Sequence, residues 1–175
     1  MIIKQKIKGE RLHLRSIYQI DANINYVQWL NDNKVNKFLE TRFVKQNLQS
    51  IEAFIESKNK SDNEYLLGIF ANQKTHIGNL KIGPIRKHHR LAELSIFIGD
   101  KTSWGKGYAS EAIIIASSFA SEYLKLRKLT ASIYEDNIGS ILAFTKAGWS
   151  KEAKLSNHYL IDGHETDLVI MSKSL

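Results

Sequence analysis

Hydrophobic positions in this chain switch between two spacings, and each switch marks an element. In ERLHLR (10–15), Leu12 and Leu14 alternate with polar neighbours, which predicts a half-buried strand with His13 on its solvent side. Spacings of three and four then take over. Tyr26, Trp29 and Leu30 share one helical face, and Ile51, Phe54 and Ile55 share another. EYLLGIFA (64–71) is apolar on both faces, as a central strand is. NQKT (72–75) reads as a polar turn into the strand IGNLKIGPI (77–85). In AELSIFIG (92–99), Ala92, Leu94, Ile96 and Ile98 line one face, while Glu93, Ser95 and Phe97 line the other. A helix follows, with Ala112, Ala116, Phe119, Ala120 and Tyr123 spaced to bury against a sheet. LTASIYE (129–135) predicts a strand, and NIGSILAFTKAG (137–148) a short helix ending at Gly148. Two last strands, 149–155 and 166–172, are joined through the turn at Asp162–Gly163. With one proline and no repeat or linker, this is a single mixed α/β (α+β) domain over residues 1–175.

Composition narrows the class. The absence of cysteine excludes disulfides and Cys-ligated metal centres, and fits a reducing cytoplasm. The histidines show no metal-ligand spacing, so no metal is expected. No apolar run approaches the roughly 20 residues that span a bilayer, and MIIKQKIKGER lacks the apolar core of a signal peptide. A soluble, cytoplasmic protein without a membrane partner is therefore expected. The net charge of +7 raises a nucleic-acid-binding module as an alternative, but the basic residues are spread along the chain. The densest patch, Arg86, Lys87, His88, His89 and Arg90, reads as a solvated hairpin tip or as a basic rim that attracts phosphorylated ligands.

SWGKGYASEAI (103–113) places two of the chain's ten glycines between a strand and a helix. A helix N-terminus exposes unpaired N–H groups and partial positive charge, and glycine lets a phosphate approach the backbone. Gly105, Lys106 and Gly107, opening into Tyr108, Ala109 and Ser110, thus form a candidate phosphate cradle; a tight strand–helix turn is the plainer alternative. The spacing is neither that of a Walker loop nor of a dinucleotide fingerprint, which would need glycine at position 110. Trp104-Gly105-Lys106-Gly107-Tyr108-Ala109 resembles the acetyl-CoA loop of the GNAT superfamily of N-acetyltransferases, Q/R-x-x-G-x-G/A. It matches at Gly107 and Ala109, and WGKGYA-x-EA is similar to the form found in the ribosomal-protein alanine acetyltransferase branch. Asn137-Ile138-Gly139-Ser140 and Lys146-Ala147-Gly148-Trp149 resemble the family's N-x-x-S/A…K-x-G-F segment, with Trp for Phe.

The resemblance implies a single-domain GNAT fold, a mixed and mostly antiparallel sheet flanked by helices, and an acyltransferase that uses acetyl-CoA as cosubstrate. It assigns the donor's diphosphate to the backbone of 105–110, its pantetheine arm to main-chain N–H groups near Phe97 and Ile98, and a contact to Asn137, which is equally a helix cap. An alkylamine has a pKa near ~10.4, so a base must remove a proton before attack. Glu93 aligns with a glutamate that often has this role; pairing with Arg90 is its alternative. The family's tyrosine acid is replaced by Phe144; Ser140 matches the serine suggested as acid in the ribosomal-protein branch, with a helix-packing or N-terminal hydrogen-bonding serine as its alternative, and Tyr134 and Tyr159 are fallbacks.

The acceptor is a small-molecule amine. YVQWLNDNKVNKFLETRF (26–43) resembles a segment of amino-sugar acetyltransferases from surface-polysaccharide pathways, implying a nucleotide-linked amino sugar whose ring and diphosphate Trp29, Phe38, Arg42 and Phe43 would suit; a helix-packing core is the equal alternative for these residues. Protein N-termini, as in the ribosomal-protein branch, are the alternative, and the basic surface speaks against polycations. A monomer or homodimer is expected.

Overall fold

The computed structural model describes residues 1–72 and 74–175. The strands are β1 (Ile7–Lys8), β2 (Leu12–Ser16), β3 (Tyr65–Ala71), β4 (Thr75–Arg86), β5 (Leu91–Ile98), β6 (Lys128–Tyr134), β7 (Ser150–Ile161) and β8 (His164–Ser174). Among the described residues they form one sheet in the order β1-β2-β3-β4-β5-β6-β8-β7. Every neighbouring pair is antiparallel except β5 and β6. The helices are α1 (Ile24–Asn31), α2 (Asn33–Asn36), α3 (Leu48–Lys60), α4 (Tyr108–Glu122) and α5 (Ile138–Lys146). None is long and apolar enough to cross a membrane.

Strand alternation sends side chains to two apolar clusters, one on each face of the sheet. Leu12, Leu14, Leu67, Ile69, Ala92 and Leu94 meet Ala112, Ala116 and Phe119 of α4 and Phe144 of α5. On the other face Ile17 and Leu66 meet Tyr26 and Leu30 of α1 and Ile51 and Ile55 of α3. β3 supplies both clusters, which explains its continuous apolar run. The expected turn at 72–75 includes residue 73, which lies outside the described residues.

Several expectations change. His13 is buried rather than solvent-facing, because the face it shares with Phe70 is covered; the two rings stack at 5.3 Å. Phe54 is exposed although Ile51 and Ile55 beside it are fully enclosed, and Tyr123, just past the end of α4, lies outside the sheet and stacks on Phe119. The last hairpin is longer than its apolar pattern: β7 is an almost wholly exposed edge strand, so its residues carry no burial signal. The patch Arg86–Arg90 sits at the start of β5, whereas the glycine loop follows the end of that strand. Eight residues of extended chain, about 26 Å, separate the two.

Candidate active site

β5 and β6 pair only at Leu91↔Lys128, Ala92↔Leu129 and Glu93↔Thr130. Beyond Glu93 the strands part, so Leu94–Ile98 and Ala131–Tyr134 border an opening about 16 Å long. The Gly99 N–H donates to the Ile77 carbonyl at 2.8 Å, which sets the phase of the β4–β5 ladder. Alternation then turns the backbone groups of Ser95 and Phe97 toward β4, and those of Leu94, Ile96 and Ile98 toward the opening. Trp104 confirms the phase: its Nε1 donates to the Ile98 carbonyl at 2.8 Å. Ile98 therefore presents its N–H to the opening as expected. Phe97 does not, and Ile96 takes its place; the Phe97 ring packs instead against Tyr26.

The glycine loop follows β5. Asp100 braces its entry, accepting from Thr102 N (3.0 Å) and Ser103 Oγ (2.6 Å). Burial alone would push this carboxyl up, but the Ser103 and Thr102 bonds hold it below its ordinary value. Gly105 and Gly107 have φ of +74° and +80°, conformations that only glycine adopts freely. Asn or Asp side chains cap α1, α2, α3 and α5, whereas α4 starts at Gly107 with no side-chain cap. The N–H groups of Tyr108, Ala109 and Ser110 are thus left for an anion. Lys106 is exposed beside them.

The other rim is the start of α5. Asn137 Oδ1 accepts from Ser140 N (3.2 Å), and Asn137 N donates to the Tyr134 carbonyl (2.9 Å). Asn137 is thus a helix cap, and Ser140 is a half-buried hydroxyl in the first turn. Glu93 is exposed at the apex of the opening, on the face that α1 and α3 cover elsewhere. Among the described residues it makes no ion pair, with Arg90 or any other cation.

On that face, beside the end of β6, lies an open cleft of about 440 Å³, lined by Glu40, Arg42, Tyr134, His158, Tyr159 and Glu165 among others. Tyr134 donates to Glu40 Oε1 (2.9 Å) and accepts from Arg42 Nη2 (3.0 Å). Burial raises the Tyr134 hydroxyl above the ordinary phenol value; Arg42 pulls it down and Glu40 pushes it up. Arg42 is committed inside the protein. It donates to the Leu39 and Leu160 carbonyls, stacks on Phe43 at 4.2 Å, and its side chain is only 15% exposed. Trp29 is packed too: a Cβ on Gly99 would come within 2.2 Å of its ring, and the His76 ring lies at 5.2 Å. Arg42 thus lines the cleft while bonded to protein oxygens, and Trp29 is half-buried beside Gly99 and His76.

Sequence reasoning named Tyr134 and Tyr159 only as fallback acids and missed Glu40, His158 and Glu165 beside them, since two distant segments supply these. It also missed the ion pair between Arg11 and Glu111 (2.8 Å), although both residues lie within quoted motifs. Among the described residues no group of three or more His, Asp or Glu could hold a metal ion.

A mostly antiparallel sheet that parts between its two parallel strands, with an uncapped glycine-led helix at the mouth, is the arrangement that the resemblance to N-acetyltransferases implies. The chain belongs to the GNAT acetyltransferase family: residues 11–150 match the family described as an acetyltransferase (GNAT) domain. It is 30% identical over 167 residues to the Bacillus subtilis (strain 168) protein named Probable N-acetyltransferase YjcK, spanning 90% of each chain. It is 24% identical over 162 residues to the spermidine N(1)-acetyltransferase of Escherichia coli (strain K12), covering 93% of this chain and 81% of that one. Its fold matches the crystal structure of spermidine N-acetyltransferase from Vibrio cholerae in complex with CoA and spermine, with a TM-score of 0.84, 21% identity, and 95% and 96% coverage. The protein is an acetyl-CoA-dependent N-acetyltransferase of the GNAT kind.

Proposed function

We propose that the protein acetylates the primary amine of a small cationic acceptor that enters the cleft beside Tyr134. The observation that carries this reading is the cleft's charge. Glu40 and Glu165 line it, while its one cation, Arg42, is bound to protein oxygens. The excess of +7 over the whole chain does not extend to this surface. The relative named for spermidine adds support. A nucleotide-linked amino sugar would bring a diphosphate to these carboxylates with no free arginine to receive it, so the cleft favours the cationic amine.

In this reading the loop amides of 105–110 hold the donor's diphosphate, and Ile96 and Ile98 offer main-chain groups to its pantetheine arm. Glu93, directly or through water, takes the proton that the acceptor ammonium must lose. The amine nitrogen forms a bond to the thioester carbon as the carbon–sulfur bond breaks. The Ile98 N–H is placed to stabilise the carbonyl oxygen as charge develops. The thiolate leaves with the electron pair and takes a proton from the Ser140 hydroxyl or from water, and the second proton shed by the acylated nitrogen restores that donor, which leaves a neutral amide and the free thiol. Phe144 is buried without a hydroxyl and supplies none.

Thiol release from acetyl-CoA, screened over polyamines, simple diamines, nucleotide amino sugars and peptide N-termini, tests the reading. Turnover is expected first with the diamines and polyamines, and to weaken in Glu40→Gln. Efficient turnover of a nucleotide amino sugar or a neutral peptide, with none of any polyamine, would overturn it.

A further inference from the structure

A side chain outside the glycine loop ties that loop to the far side of the sheet. Arg11, at the entry to β2, donates through Nε to Glu111 Oε2 (2.8 Å) and through Nη1 to the Lys106 carbonyl (2.9 Å). Its guanidinium lies 5.0 Å from the centre of the Tyr108 ring. Glu111, in the first turn of α4, answers on the main chain, with Oε1 accepting from Arg11 N (2.7 Å) and Leu12 N (3.3 Å). The Glu111 side chain is 14% exposed and that of Arg11 47%, so the carboxylate is the anchor and the guanidinium the outer arm.

The consequence follows from peptide geometry. In a planar trans peptide the carbonyl of one residue and the N–H of the next point in opposite directions. The Lys106–Gly107 unit is followed by Gly107 at φ +80° and preceded, one residue back, by Gly105 at φ +74°, where nothing lies within 4 Å of an added Cβ. Sterics alone give such a unit little reason to keep one orientation. A bond from Arg11 to the Lys106 carbonyl turns the Gly107 N–H the other way, to join the uncapped amides of α4. β2 is a rigid platform for this bond, since Leu12 and Leu14 are buried.

We infer that Arg11 is a positioning residue for the acyl donor: it orients the Lys106–Gly107 peptide so that the loop amides converge on the donor's diphosphate. This rests on the reading that residues 105–110 hold that diphosphate. Arg11 acts from outside the loop and through main-chain geometry.

The test compares wild type with Arg11→Gln, which loses the forked donor, and Glu111→Gln, which keeps the shape of the anchor but loses its charge. In calorimetry with CoA, Arg11→Gln should raise Kd about tenfold, the size of one charge-assisted hydrogen bond, and Glu111→Gln by less. With acetyl-CoA as donor and an amine that wild type acetylates, KM for acetyl-CoA should rise in step while kcat and the amine KM stay unchanged. With S-acetylpantetheine, which lacks the diphosphate, kcat/KM should match wild type. Wild-type CoA affinity in both variants, or equal losses with the two donors, would overturn the inference. If Arg11→Gln fails to fold, Glu111→Gln decides by the same donor comparison. A wild-type protein that does not bind CoA would instead refute the reading of the loop itself.

Discussion

Replacing Arg42 by alanine separates a structural cation from a ligand-binding one. Arg42 donates to the Leu39 carbonyl (3.1 Å), the Tyr134 hydroxyl (3.0 Å) and the Leu160 carbonyl (3.3 Å), and it stacks on Phe43. Each hydrogen bond from a charged group contributes about 1.5–3 kcal/mol, but three bonds from one guanidinium are not additive. Truncation also leaves two carbonyls to find water in a site where the arginine side chain was 15% exposed. The net loss expected is about 2–3 kcal/mol. At about 2–4 °C per kcal/mol for a domain of this length, Tm should fall by roughly 5–10 °C. Circular dichroism melts of wild type and Arg42→Ala measure it directly. Below its melting range the variant should lose turnover to a similar degree for acceptors with and without a diphosphate. A Tm shift under about 2 °C, with turnover lost only for diphosphate-bearing acceptors, would refute this reasoning and return Arg42 to the role first expected of it.

Two further predictions concern proton transfer and pH. Glu93→Gln should lower kcat at neutral pH and recover part of it as pH rises and free amine accumulates; a wild-type rate and pH profile would make Glu93 a bystander. His13 and His76 both lie below the ordinary imidazole value, first because burial penalises the charged ring. Lys6 and Arg15 lower His13 further, while Asn79, Asp21 and Gly78 partly offset the burial of His76. The unfolded chain then binds more protons than the folded one. Stability is therefore full above the unfolded value of about 6.5 and declines as pH falls below it. Melting curves between about pH 7 and 5 should show that decline, with a shallower slope in His76→Gln; equal slopes would contradict it.

Much of the site was legible because its chemistry is local in sequence. Gly105 and Gly107 precede α4 by one turn of chain, and the residue type itself announces the positive φ there, though not the hold that Arg11 has on the loop. The strand that borders the opening was legible from its alternation, but the phase of its hydrogen bonds was not. Period-2 patterning says which face a side chain takes, not which neighbour its N–H meets, so Phe97 was expected where Ile96 stands. The cleft was hidden for another reason. Tyr134 is brought against Glu40 and Arg42 by folding across more than ninety residues, and β7 supplies Tyr159 from a strand whose exposure erases the apolar pattern. His13 misled because its burial comes with the Phe70 ring of β3 that stacks on it, which no feature of ERLHLR announces.

The central claim is that the loop at the mouth of the opening holds the acyl donor. Calorimetric titration of CoA into wild type and Gly107→Val measures this most directly. Gly107 sits at φ +80°, and a Cβ added there would meet Arg11 Nη2 at 3.5 Å, an ordinary contact, so valine is strained in backbone conformation rather than crowded out. That strain, about 1–3 kcal/mol, should disturb the loop while leaving the core folded. Wild type should bind one CoA per chain, and the variant should bind it at least about tenfold more weakly with the sheet intact by circular dichroism. No binding of CoA by wild type, or equal affinity in the variant, would contradict the account.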